Sequence, residues 1–165
     1  MTKHELIELV RRIMEAPSTT NNPLLDLGFS EGLVRHLAKF DETSPLGFRC
    51  RPPLRYASSP ISLAPIVPLW ECGSVLTYYS ELRARFEVCS LEDVGHPFAS
   101  YRTAQAVVGG LFIGLFEDDL PEETLRSLAC ELHFSKIDLL LPGAQSHQGQ
   151  EYTAWVSQFL RDCDE

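Results

Sequence analysis

Pro65-Ile66-Val67-Pro68-Leu69-Trp70-Glu71-Cys72-Gly73, Val75-Leu76-Thr77-Tyr78-Tyr79 and Arg85-Phe86-Glu87-Val88-Cys89-Ser90-Leu91 follow one another as short apolar runs, and Ala104-Gln105-Ala106-Val107-Val108-Gly109-Gly110-Leu111-Phe112-Ile113-Gly114-Leu115-Phe116 closes the stretch. Runs of this length, rich in β-branched and aromatic residues, predict strands. The link from Ser80 to Ala84 suits a hairpin, and none of the connections is long enough for a parallel crossover. The pairing is therefore antiparallel, a meander. Pro68 cannot donate to a ladder, which places the first run at a sheet edge or a bulge. In the third run Phe86, Val88 and Ser90 point one way and Glu87, Cys89 and Leu91 the other.

The closing run is helical. Ala104, Val107, Val108, Leu111, Phe112, Leu115 and Phe116 recur at helical spacing, and Ala106, Gly109, Gly110 and Ile113 leave the opposite side almost without polar groups. A helix apolar nearly all round is buried. Each interior glycine costs ~1 kcal/mol relative to alanine, so the spacing predicts a close backbone approach to the sheet. Gly110 and Gly114 have G-x-x-x-G spacing, but the run falls well short of the ~20 residues a membrane span needs.

Outward from this centre the chain reads as helices. Thr2-x-x-Glu5 is a capping box, followed by Leu6, Leu9, Val10 and Ile13 at helical spacing, with Pro17 as the stop. Ser18 to Pro23 is dense in turn formers. Ser30 caps a short helix that buries Leu33, Leu37 and Phe40. Residues 41–60 carry Pro45, Pro52, Pro53 and Pro60 and predict a packed irregular segment or an edge strand. Beyond the central helix, Pro121 suits a first helical position, Glu122 and Glu123 complement the macrodipole, and Leu125, Leu128, Ala129 and Leu132 form the apolar face. Ser135 to Leu141 is a short hydrophobic run, Gly143 to Gly149 a polar loop, and Glu151 to Cys163 a last helix carrying Trp155, Val156, Phe159 and Leu160. The expected class is α+β, an antiparallel meander in the middle of the chain with N- and C-terminal helices packed around it. Residues 1–165 form one domain, large enough to bury ~70% of the unfolded surface.

The formal net charge is −9. That disfavours nucleic acid, whose binding depends on cationic side chains, and favours encounter with a basic partner. The bland reading is solubility. Glu117, Asp118, Asp119, Glu122 and Glu123 nevertheless crowd one short stretch, and Glu92-Asp93 follows the third strand. Helix capping and solvation compete there with a partner-binding surface. The acids do not interleave around a glycine turn as calcium ligands do, so no metal or cofactor is expected. With no targeting segment or span, the expected location is cytoplasmic.

The five cysteines are scattered and never spaced C-x-x-C, which argues against structural zinc and a disulfide framework. Cys72, Cys89 and Cys130 read as small buried hydrophobes. A cysteine hydrolase would pair Cys72 or Cys89 with His96 or His133, but no local feature marks a lowered thiol pKa; His4, His36 and His147 read as histidines without partners. No serine sits in a G-x-S-x-G elbow and no glycine loop has phosphate-binding spacing. Trp70 reads as core, and Tyr78-Tyr79 places one ring on each face, one of them exposed or lining a groove.

Pro68-Leu69-Trp70-Glu71-Cys72-Gly73, the Tyr78-Tyr79 strand, Phe86-Glu87-Val88-Cys89-Ser90-Leu91-Glu92-Asp93 and the stretch from Ser100 through Leu115-Phe116-Glu117 together resemble the SUKH superfamily of bacterial immunity proteins. The resemblance implies an α+β, non-catalytic inhibitor that occludes the active site of a cognate, basic toxin. Charge and expected exposure, rather than any family motif, select Glu92, Asp93, Glu117, Asp118 and Asp119 as the electrostatic part of a partner surface, with Tyr79 as its aromatic anchor. A cytosolic adaptor that binds a different partner, and a cysteine-dependent enzyme, are the alternatives.

Overall fold

The computed structural model describes residues 2–13, 22–58 and 66–165. Its order is α1 (Lys3–Ile13), α2 (Pro23–Asp26), α3 (Glu31–Ala38), α4 (Leu54–Ser58), β1 (Ile66–Cys72), β2 (Val75–Ser80), β3 (Arg85–Ser90), β4 (Ala99–Tyr101), α5 (Ala104–Glu117), α6 (Glu122–Glu131), α7 (Ile137–Ser146) and α8 (Gly149–Cys163). The sheet is a four-stranded antiparallel meander, β1-β2-β3-β4. The α+β architecture is the expected one, with the sheet in mid-chain and helices on both sides of it in sequence. Pro17, the Ser18 to Asn21 part of the predicted turn, Pro60 and Pro65 lie outside the described residues.

Pro68 acts as its chemistry requires. β1 is an edge strand, and its register slips between Pro68, opposite Tyr78, and Trp70, opposite Thr77. Beyond that edge the proline-rich segment contributes a single bridge. Arg51 N–H donates to Glu71 O at 2.9 Å and Glu71 N–H returns to Arg51 O at 2.8 Å. The segment then enters α4 immediately after Pro52-Pro53, which sequence reading did not anticipate.

The pleat sorts the sheet into two faces. Val67, Tyr79, Phe86 and Tyr101 form one cross-strand row, and Trp70, Thr77, Val88 and Ala99 the next. This side belongs to the main core, where Phe29 lies edge-on to both Trp70 and Phe86 at 5.6 and 5.5 Å. The other side carries Tyr78, Leu76 and Cys89 and packs on Leu6 and Val10 of α1 and Tyr56 of α4. Trp70 is core, as read.

Capping fixes the helices. Thr2 and Glu5 make the reciprocal capping box of α1. Asn22 Oδ1 accepts from Leu24 N–H and Ser30 Oγ from Leu33 N–H, opening α2 and α3. α5 begins at Thr103, whose hydroxyl accepts from Ala106 N–H and donates to Cys163 O. Asp164 Oδ1 accepts from Arg102 and Thr103 N–H at 2.6 and 2.8 Å. The end of α8 is thereby fastened to the start of α5.

Four expectations change. β4, three residues long, was not anticipated; its Ala99-Ser100-Tyr101 is too short for a readable alternation. Gly143 to Ser146 is helical: α7 runs through Pro142, and near its end the carbonyls of Pro142 and Gly143 accept from Ser146 Oγ and a ring nitrogen of His147. Cys130 is exposed, Cys72 is half-buried, and the buried thiols are Cys50, Cys89 and Cys163. The glycines of α5 do not bring its backbone onto the sheet. A Cβ at Gly109 would touch Cys163 Sγ and Leu160 Cδ2 of α8 at 3.4 Å, one at Gly114 would lie 2.9 Å from the Arg49 guanidinium, and one at Gly110 would meet nothing within 4 Å.

Candidate functional site

That empty space at Gly110 is part of a cavity of about 300 Å³ between α5 and the sheet. Trp70, Val75, Thr77 and Val88 make its floor, Val107 and Leu111 its helical wall, and Arg49, Cys72 and Phe98 its lips. The floor is the second cross-strand row together with Val75, so the meander register fixes it. Phe98, in the turn leading to β4, is 68% exposed, held by its own N–H to Val88 O at 2.9 Å. It gives the groove an unshielded aromatic edge.

The polar end of the groove is built by Arg49 and Asp118. Arg49 Nε and Nη2 donate to the two carboxylate oxygens of Asp118, each at 2.7 Å. This two-pronged contact holds the Asp118 carboxyl below its ordinary range and lifts the guanidinium further. Nearby, burial pushes the Cys72 thiol up. Burial likewise raises Cys89 and Cys163 to about 11, and Cys50 higher still. These four thiols are poor nucleophiles at neutral pH.

The predicted carboxylates separate into two places. Glu117, Asp118 and Asp119 end α5, where peptide dipoles already concentrate negative charge, and the last turn holds no basic residue. Glu117 accepts from the Tyr152 hydroxyl at 3.3 Å, and burial with that carboxylate pushes the phenol up to about 12. Asp119 is exposed at φ 58° and terminates the helix by donating its N–H to Phe116 O. Glu92 and Asp93 lie exposed in the turn after β3; Asp93 pairs with a ring nitrogen of His96 at 2.7 Å.

Tyr79, the expected aromatic anchor, is only partly exposed. Its ring is half-buried on the main-core side, 5.1 Å from Phe86, while Tyr78 is the fully buried one of the pair. The exposed aromatic at the groove is Phe98, which sequence reading passed over; a lone phenylalanine among Gly95, His96 and Pro97 was the available signal. Arg49 was also missed, since its partner lies far along the chain. Three histidines have partners other than thiols: His36 bonds Cys50 O, His96 bonds Asp93, and His147 bonds Gly143 O and stacks on Trp155.

Among the described residues, no group of three or more His, Cys, Asp or Glu side chains is placed to hold a metal ion, and no helix is long and apolar enough to cross a membrane. Comparison of the chain with protein-family models, curated proteins and solved structures found no match.

Proposed function

We propose that the chain is a non-catalytic acidic binding protein whose partner is a basic protein. From the resemblance of its central residues to SUKH immunity proteins, we take that partner to be a toxin whose active site the chain occludes. One observation carries the reading. Glu117, Asp118 and Asp119 stand against the negative end of α5, and among the described residues only Asp118 has a cationic partner, Arg49. Carboxylates at a helix C-terminus oppose the macrodipole at ~0.3–1 kcal/mol each. A cation arriving from outside relieves that repulsion, and a net charge of −9 accelerates its arrival. The raised thiols of Cys50, Cys72, Cys89 and Cys163 favour binding over cysteine catalysis. Five free cysteines suit the reducing cytoplasm as the place of action.

The test is to search the neighbouring genes for a basic toxin domain and to measure its inhibition with the wild-type chain and with Glu117→Lys/Asp119→Lys. Absence of such a neighbour would count against the immunity role. Stoichiometric inhibition is expected, with association slowed tenfold or more in the variant at low salt. No inhibition would remove the immunity role, and an unchanged association rate would remove its electrostatic basis.

A further inference from the structure

We infer that the groove between α5 and the sheet seats one apolar side chain of that basic partner, carried next to a lysine or arginine. This rests on the basic-partner reading above. The three glycines of α5 make the argument. A Cβ at Gly109 would meet α8 in close contact, and one at Gly114 would press on Arg49. Gly110 has no such neighbour: a methyl group would fit, and alanine would stabilise the helix. What glycine preserves there is the opening itself.

The occupant's size and charge follow from the walls. About 300 Å³ lies at the lower end of the ~300–1,000 Å³ of small-molecule sites, room for one large side chain. Trp70, Val75, Val88 and Leu111 offer it apolar contact, and Phe98, exposed at the lip, is poised to cover it. The cavity floor offers no counter-charge, so a charged group must stay outside. Arg49, the charged residue of the lining, is clamped by Asp118 just outside it, and Glu117 and Asp119, exposed on either side of Asp118 in the chain, form no ion pair among the described residues. The surroundings therefore favour a cation beside the apolar group and disfavour an anion. Aromatic and aliphatic anchors in desolvated pockets, ringed by polar contacts, are the pattern of protein hot spots.

The test uses the full chain and 4-phenylbutylamine as the probe, followed by backbone amide NMR, with 4-phenylbutyrate as the anionic control. The amine should shift amides from Val107 to Gly114 and from Val75 to Thr77 with millimolar affinity, and the carboxylate should bind at least fivefold more weakly at low salt. Gly110→Leu should fill the groove, abolish these shifts and weaken partner capture tenfold or more. Its Tm should rise by ~2–4 °C from helix propensity alone, which separates occlusion from misfolding. Amine shifts outside the groove, or unaltered by Gly110→Leu, would overturn the inference. A basic partner captured equally by wild type and Gly110→Leu would overturn the groove and leave the proposed function standing. Groove binding of the amine without any basic partner in the wild-type capture would overturn the protein occupant together with that function.

Discussion

Alanine substitution at Gly109, Gly110 and Gly114 separates three environments on one helix. Each replacement gains ~1 kcal/mol of helix propensity. At Gly110 nothing lies within 4 Å of the new methyl, so the whole gain should appear, raising Tm by ~2–4 °C for a chain of this size. At Gly109 contacts at 3.4 Å to Cys163 and Leu160 should trim the gain to about half. At Gly114 the methyl would sit 2.9 Å from Arg49 Nη1 and 3.0 Å from its Cζ, so the guanidinium must withdraw from Asp118. Those side chains are 27% and 38% exposed. Solvent screening therefore limits even this two-pronged pair to ~1 kcal/mol, and Gly114→Ala should fall within ~0.5 kcal/mol of wild type. Asp118 has a lowered carboxyl pKa, so its pairing stabilises above the ordinary value near 3.8 and is lost as pH falls through the lower folded value. Gly114→Ala should accordingly gain on wild type as the pH falls. In an Asp118→Asn background it should be stabilising outright, by ~1 kcal/mol. Urea denaturation at pH 7 and pH 3 reads all of this. A destabilised Gly110→Ala, or a Gly114→Ala as stabilising as Gly110→Ala at neutral pH, would refute the assignment.

Three further outcomes follow from buried groups. Glu71 is buried and accepts from Tyr56 N–H at 2.7 Å, and burial raises its carboxyl pKa. The charged form thus costs stability above the raised value and the cost vanishes as pH falls towards the ordinary 4.5. Wild type should gain on Glu71→Gln between pH 7 and pH 4 in thermal unfolding, and a widening deficit would contradict this. The Tyr56 hydroxyl is buried with no hydrogen-bond partner among the described residues, so Tyr56→Phe should be neutral or stabilising by up to ~1 kcal/mol; a clear loss of Tm would show that the hydroxyl is satisfied. In the native chain, Ellman's reagent at pH 7.5 should modify Cys130 quickly and the buried Cys50, Cys89 and Cys163 only on unfolding; uniform fast reaction of all five would be incompatible with this core.

The sheet was legible because its pattern is local. Pro68 placed the edge and the bulge, and the five-residue link from Ser80 to Ala84 announced the hairpin. Ser30 and the Thr2–Glu5 pair marked helix starts through contacts made within one turn. α7 was misread because Pro142-Gly143 is ordinarily a terminator, whereas here the helix runs on to Ser146, where Ser146 and His147 cap its last carbonyls and the Trp155 ring packs against Gly143. The glycine spacing in α5 was visible, but its meaning was not. Which glycine faces α8, Arg49 or open space depends on elements tens of residues away. The carboxylates were found from composition, whereas Arg49, which holds Asp118 across 69 residues, and Phe98, which rims the groove, carry no signature in a linear reading. The half-burial of Tyr79 was not legible because alternation gives the face of a ring and not what covers that face.

The central claim, an acidic surface that recruits a basic protein, is tested most directly by affinity capture from the lysate of the source cells. The full wild-type chain should be compared with Glu117→Lys/Asp119→Lys at ~0.05 and ~0.5 M salt, where the screening length shortens severalfold. The account predicts one stoichiometric basic protein, held by wild type at low salt, weakened at high salt and lost with the variant. No captured protein at either salt, or a partner retained equally by the variant and at high salt, would contradict it.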